Sequence, residues 1–121
     1  MVERDLTLEN GLINKQLPPG FYFFRIADSG KREFNKTGFD GFLMFYNKYC
    51  WPVEVKITNK ISSLKKLTSN EEKTAERLKS KKIKYMILTY VINLNVWVMQ
   101  FYGEESQQVG TLEQLMEDLI D

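Results

Sequence analysis

One spacing does most to limit the folds open to this chain. Two strand-like segments, Cys50–Thr58 and Ile83–Ile92, are separated by a single helical segment, Ser69–Lys82. Strand, helix and strand in that order favour a parallel pair joined by a right-handed crossover. The first segment alternates Val53, Val55 and Ile57 with Glu54 and Lys56, so one face is apolar and the other charged. The helix has Thr68 or Ser69 to cap it. Glu71 and Glu72 sit in its first turn and its basic residues lie toward its end, as the helix dipole prefers.

The other segments arrange themselves around that unit. Residues 3–16 predict a helix, with Leu6, Leu8, Leu12, Ile13 and Leu17 near helical spacing, stopped by Leu17-Pro18-Pro19-Gly20. Phe21–Ala27 is an aromatic strand, and polar Asp28–Gly38 is a loop. Phe39–Tyr46 pairs with Cys50–Thr58 as a hairpin turning near Asn47-Lys48. Asn59–Lys66 is a linker with some helical character. Asn93-Leu94-Asn95 turns the chain into a strand over Val96–Tyr102. Thr111–Ile120 is a short acidic helix with Leu112, Leu115, Met116 and Leu119 on one face. The order is α-β-β-β-α-β-β-α. It predicts an α/β (α+β) mixed sheet flanked by helices, with its first three strands an antiparallel meander. At 121 residues and 43% hydrophobic, the chain makes one domain, residues 1–121.

Composition narrows the chemistry. The chain has no histidine and one cysteine, Cys50. This excludes Cys/His zinc sites, Ser-His-Asp and Cys-His catalysis, and an internal disulfide. Acid–base or metal chemistry must use Asp, Glu, Lys, Tyr or backbone groups. The lone thiol, the absence of a membrane-spanning apolar run and the polar N-terminus point to a cytoplasmic protein without a membrane role. Net charge is +1, but residues 56–84 hold 10 basic against 3 acidic side chains, and residues 103–121 hold 6 acidic and no basic ones. A basic middle of this kind forms either an anion-binding face or a solvated lysine-rich helix.

The hairpin carries the residues best suited to chemistry. Asp40 begins one strand, and the turn brings it back toward Glu54 and Lys56 on the partner. Two carboxylates can hold Mg²⁺, with the Val55 carbonyl as a third ligand. Lys56 can position a water or stabilise a phosphate. The alternative is an exposed strand face with cross-strand salt bridges.

In the order Thr37-Gly38-Phe39-Asp40, thirteen residues, then Glu54-Val55-Lys56, the chain resembles the PD-(D/E)XK nucleases. It is most similar to their VRR-NUC-type and Holliday-junction-resolvase-like members. The strand wording PVEVKIT, the helix start LTSNEEKTAERL and the strand YMILTYV extend the likeness over residues 20–92. Phe39 stands where the family often has proline, and Glu72 where the helix often has glutamine. The resemblance implies a restriction-endonuclease-like core and a Mg²⁺-dependent nuclease, with Mn²⁺ as substitute. Asp40 and Glu54 become metal ligands and Lys56 the catalytic lysine. An added acid comes from the first helix, Glu9, with Glu3 in reserve. Arg25, Lys31, Arg32 and Lys36 around the loop, and Lys60, Lys65 and Lys66 after the catalytic strand, are candidate phosphate contacts. The expected partner is DNA, with branched DNA such as a Holliday junction as a candidate substrate. Two symmetric cuts favour a homodimer. The rival expectation is a non-catalytic module that binds nucleic acid or protein through the same basic face.

Overall fold

A computed structural model of the chain describes residues 12–26 and 38–121. Within them, one six-stranded sheet runs β1 (Phe21–Arg25), β2 (Gly41–Phe45), β3 (Tyr49–Thr58), β4 (Met86–Val91), β5 (Val96–Phe101) and β6 (Gln107–Gly110). The described helices are α1 (Leu12–Gln16), α2 (Ser69–Ser80) and α3 (Leu112–Ile120). The strands lie in chain order across the sheet. Every neighbouring pair is antiparallel except β3–β4, which is parallel with Val53 opposite Met86 and Thr58 opposite Val91. The mixed sheet and the crossover through α2 match the sequence expectation. The sixth strand was not expected: Gln107–Gly110 is short, polar and largely exposed, so no apolar alternation marks it. Of the helix expected over residues 3–16, only Leu12–Gln16 falls within the described residues.

One face of the sheet carries the core. Val53, Val55, Met86, Leu88, Trp97 and Met99 are buried there against Ile13 of α1 and Leu112, Leu115 and Met116 of α3. Polar groups at this junction are paired. Trp97 Nε1 donates to Gln16 Oε1 at 3.0 Å. The Asn14 side-chain amide donates to Phe23 O at 3.0 Å and accepts from Phe23 N at 2.8 Å, so it pairs backbone groups of the end strand β1.

The β2–β3 hairpin turns through Tyr46, Asn47 and Lys48, with Tyr46 at a φ of 49°. Tyr46 N donates to Gly20 O at 2.8 Å. The Tyr46 ring covers Gly20, whose φ is 92°; a Cβ there would fall 2.6 Å from a ring carbon. Glycine is therefore the residue that admits both the left-handed turn and the ring. α2 covers the other face of the sheet and buries only Thr74 and Ala75 of its own residues. What α2 delivers to the sheet is mainly polar.

Candidate active site

The site forms where β2 begins, β3 passes and α2 starts. Asp40 immediately precedes β2. Its N–H donates to Val53 O at 2.9 Å, and its Oδ2 accepts from Val55 N–H at 2.8 Å. The carboxylate thus extends the β2–β3 ladder past the end of β2 and stands beside Glu54.

Glu54 and Lys56 leave β3 on the face opposite Val53 and Val55. That face is not the open, salt-bridged surface of the alternative reading. Glu54 is 6% exposed, and the Lys56 side chain is 12% exposed. Lys56 Nζ lies 2.8 Å from Glu71 Oε1 and 3.6 Å from Glu54 Oε2. Glu71 is the third residue of α2, and its Oε1 also accepts the Thr68 N–H at 2.9 Å. Thr68 Oγ1 accepts Glu71 N–H in return, closing a capping box. The helix cap therefore aims a carboxylate at the strand lysine.

The charges do not balance if all three carboxyl groups ionise. Burial, then the Asp40 charge, then Glu71 push Glu54 up to about 9, with Lys56 acting in the opposite direction. The crowding of carboxyl groups thus favours the protonated form of Glu54, beside Glu71. Burial alone would raise Glu71 as well. The hydrogen bonds from Lys56, from Thr68 N–H and from Glu54 outweigh it and keep Glu71 below the usual carboxylate value.

Tyr85 supports the site from β4's approach. It is 1% exposed, and its hydroxyl donates to Gly38 O at 2.6 Å, two residues before Asp40. Its ring packs edge-on to Phe39 at 6.3 Å. Burial, then the charges of Glu54, Glu71 and Asp40, push its hydroxyl far above the ordinary tyrosine value.

The structure thus brings together Asp40, Glu54 and Lys56, and adds Glu71 and Tyr85, which the sequence reading did not single out for this role. Glu71 looked like a dipole-favoured helix acid. Its spacing from Thr68, a capping box, was the available signal. Glu72, the acid that the resemblance singled out, is exposed. Val55 buries its side chain in the core and gives its N–H to Asp40. Arg25 stands on β1 in register with Gly41, and its side chain starts from the Phe21–Phe23 face, opposite Glu54. Lys60, Lys65 and Lys66 are exposed between β3 and α2. Glu9, Glu3, Lys31, Arg32 and Lys36 lie outside the described residues.

Among the described residues, no group of three or more carboxylate, thiol or imidazole side chains is arranged as a metal-binding cluster. Asp40 and Glu54 set two carboxyl groups side by side, the oxygen-donor type that Mg²⁺ takes. Mg²⁺ keeps several waters and commonly uses only one or two protein carboxylates. Here a proton on Glu54 relieves the charge of three adjacent carboxyl groups, which is the position a dication would fill.

The fold is similar to that of Hjc from Archaeoglobus fulgidus, a Holliday junction resolvase from an archaeal hyperthermophile. The TM-score is 0.58 at 14% sequence identity, over 93% of this chain and 91% of that one. This chain therefore shares the overall fold of that protein. No protein-family model matches the sequence, and no curated protein matches it. No described helix is long and apolar enough to cross a membrane.

Proposed function

We propose that the protein is a metal-dependent endodeoxyribonuclease of the PD-(D/E)XK type that cuts branched DNA. The observation that carries this reading is the convergence of Asp40, Glu54 and Lys56 beneath the cap of α2, with Lys56 held between Glu54 and Glu71. The resolvase-like fold supports it, since Hjc is a Holliday junction resolvase.

Asp40 and Glu54 would hold Mg²⁺ or Mn²⁺, with the Val55 carbonyl as a further donor and an acid from the first helix, Glu9, completing the set. The metal, when bound, lowers the pKa of a water and offsets charge on a phosphate oxygen. Asp40 stays oriented by the Val55 N–H. Glu54 would hold the cation as a carboxylate, since a nearby positive charge favours its ionised form. Lys56, tethered by Glu71, presents its ammonium group to the reacting phosphate. Lys60, Lys65 and Lys66, with Lys31, Arg32 and Lys36, would hold flanking phosphates; Arg25 starts from the opposite face of the sheet and is left out of this set. A homodimer would supply the two sites that a symmetric pair of cuts requires.

The test is cleavage of labelled plasmid, linear duplex, single strand, flap and four-way junction with Mg²⁺ or Mn²⁺, against EDTA and Asp40→Ala. Metal-dependent cutting that Asp40→Ala abolishes, strongest on the branched substrates, is the expected result. Salt-sensitive binding without cleavage of any substrate would instead make the basic face a binding surface.

A further inference from the structure

Where α2 ends, just before β4 begins and just after β5 ends, is a cavity of about 290 Å³. Three lysines line it, Lys79, Lys82 and Lys84, together with Ile83, Tyr102 and one acid, Glu104, and the Tyr102 hydroxyl donates to the Glu76 carboxylate. Tyr85 backs the cavity from within the core: it is buried, and its hydroxyl donates to Gly38 O, two residues before Asp40.

The lysines have an uneven set of partners. Lys84 pairs with Glu104 at 3.3 Å. Lys79 stands over the Tyr102 ring at 5.9 Å. Among the described residues neither Lys79 nor Lys82 has an ion-pair partner. The helix dipole accounts for Lys79 in the last turn of α2, but its influence fades beyond the end of the helix, where Lys82 and Lys84 lie.

Lys82 also occupies an unfavourable backbone position. Its φ is 63°. Its N–H donates to Lys79 O at 2.9 Å, and Ile83 N–H donates to Leu78 O at 2.9 Å. These two bonds make a Schellman motif with Lys82 at the position glycine usually takes. A lysine kept in a left-handed conformation at the rim of a cavity suggests that its ammonium group has a use there.

We infer that this cavity takes an unpaired nucleotide of the DNA strand next to the cleaved bond. The sugar and base lie against the exposed Ile83 side chain and the half-buried Tyr102 ring, and the adjoining phosphates against Lys79 and Lys82. An apolar side chain and a ring beside unpaired ammonium groups suit a single-stranded nucleotide, whereas the stacked bases of a duplex cannot enter. The inference rests on the nuclease reading for the position of the strand.

Binding is measured by fluorescence anisotropy in EDTA, so that nothing is cut. A labelled single-stranded oligonucleotide and its duplex are titrated across a salt series with the wild type, Lys82→Gly, Lys79→Ser/Lys82→Gly and Tyr102→Leu. Lys82→Gly suits the left-handed turn, so its melting temperature should hold or rise. Its single-strand affinity should fall, with a salt slope shallower by about 0.7 for each cation removed. Tyr102→Leu should weaken single-strand binding about tenfold without changing the slope. Duplex binding should change less in all three. Unchanged affinity and slope, or equal losses on single strand and duplex, would overturn the assignment. If metal-dependent cleavage by the wild type persists in that case, only the cavity assignment falls. A wild type that neither binds nor cuts DNA overturns the nuclease reading with it.

Discussion

Replacing Glu54 with glutamine should remove a pH dependence of stability that the wild-type site imposes. Glu54 is raised in the folded protein from 4.5 to about 9. Between those values the folded chain binds one more proton than the unfolded chain. Its contribution is therefore fully present below 4.5 and is lost as pH rises toward 9. One proton corresponds to about 1.4 kcal/mol per pH unit. Metal-free wild type should therefore lose roughly 2–3 kcal/mol between pH 6 and pH 8. Few other groups interfere. The chain has no histidine. Glu71 is lowered, so its effect falls in acid. Cys50, Tyr85 and Tyr102 are raised from values of 9 or 10, so theirs fall in base. Glutamine keeps an N–H donor for Glu71 but cannot ionise. Urea unfolding in EDTA at pH 6, 7 and 8 should show a falling wild type and a nearly flat Glu54→Gln. Parallel slopes for the two proteins would refute the protonated Glu54 and the charge argument for the metal site.

Three further substitutions probe the supports of the site. Glu71→Gln retains a capping-box residue but leaves Lys56 facing only Glu54. Glu54 should then ionise at lower pH, and the stability slope in the same urea series should flatten. Glu71→Ala should do the same and also lose about 1 kcal/mol of helix capping, read as a lower midpoint. Tyr85→Phe removes the buried bond to Gly38 O and leaves that carbonyl unpaired, so the urea midpoint should report a loss of about 1–3 kcal/mol. Gly41→Ala places a Cβ 2.3 Å from Phe24 O and 3.0 Å from Arg25 Cα. Backbone cannot yield as a side chain does, so β1 must separate from β2. The loss should reach the upper part of the roughly 1–3 kcal/mol typical of overpacking, seen as a lower melting temperature.

The sequence was most legible where one period dominates. The β3 alternation separates Val53 and Val55 from Glu54 and Lys56, and the structure keeps that division. The parallel β3–β4 pair follows from the single helix between them. Legibility fails where partners are distant in sequence. The Tyr85 hydroxyl meets a carbonyl 47 residues away, and nothing local distinguishes that tyrosine from any other aromatic on a strand. β6 is built from Gln107 and Gln108, and pairing with β5 makes it a strand despite its polarity. Glu71 was visible yet misassigned, because a helix-cap acid has a sufficient local explanation.

That double role shows how the topology makes the site. A parallel crossover brings the start of α2 back over the strand it has just left. The first turn of a helix favours acids, whatever they face. Here that turn settles over Lys56, so a residue that caps the helix also fixes the lysine, through one oxygen, Glu71 Oε1. Asp40 does the equivalent on the other side, where the carboxylate that completes the β2–β3 ladder also sets the charge around Glu54. Both supporting acids thus have a structural partner as well as a place in the site. Substitutions at either position will change stability and chemistry together. Glu54 differs: its cost is electrostatic and its main compensation is a proton, so glutamine at this position separates the requirements of the fold from those of the reaction.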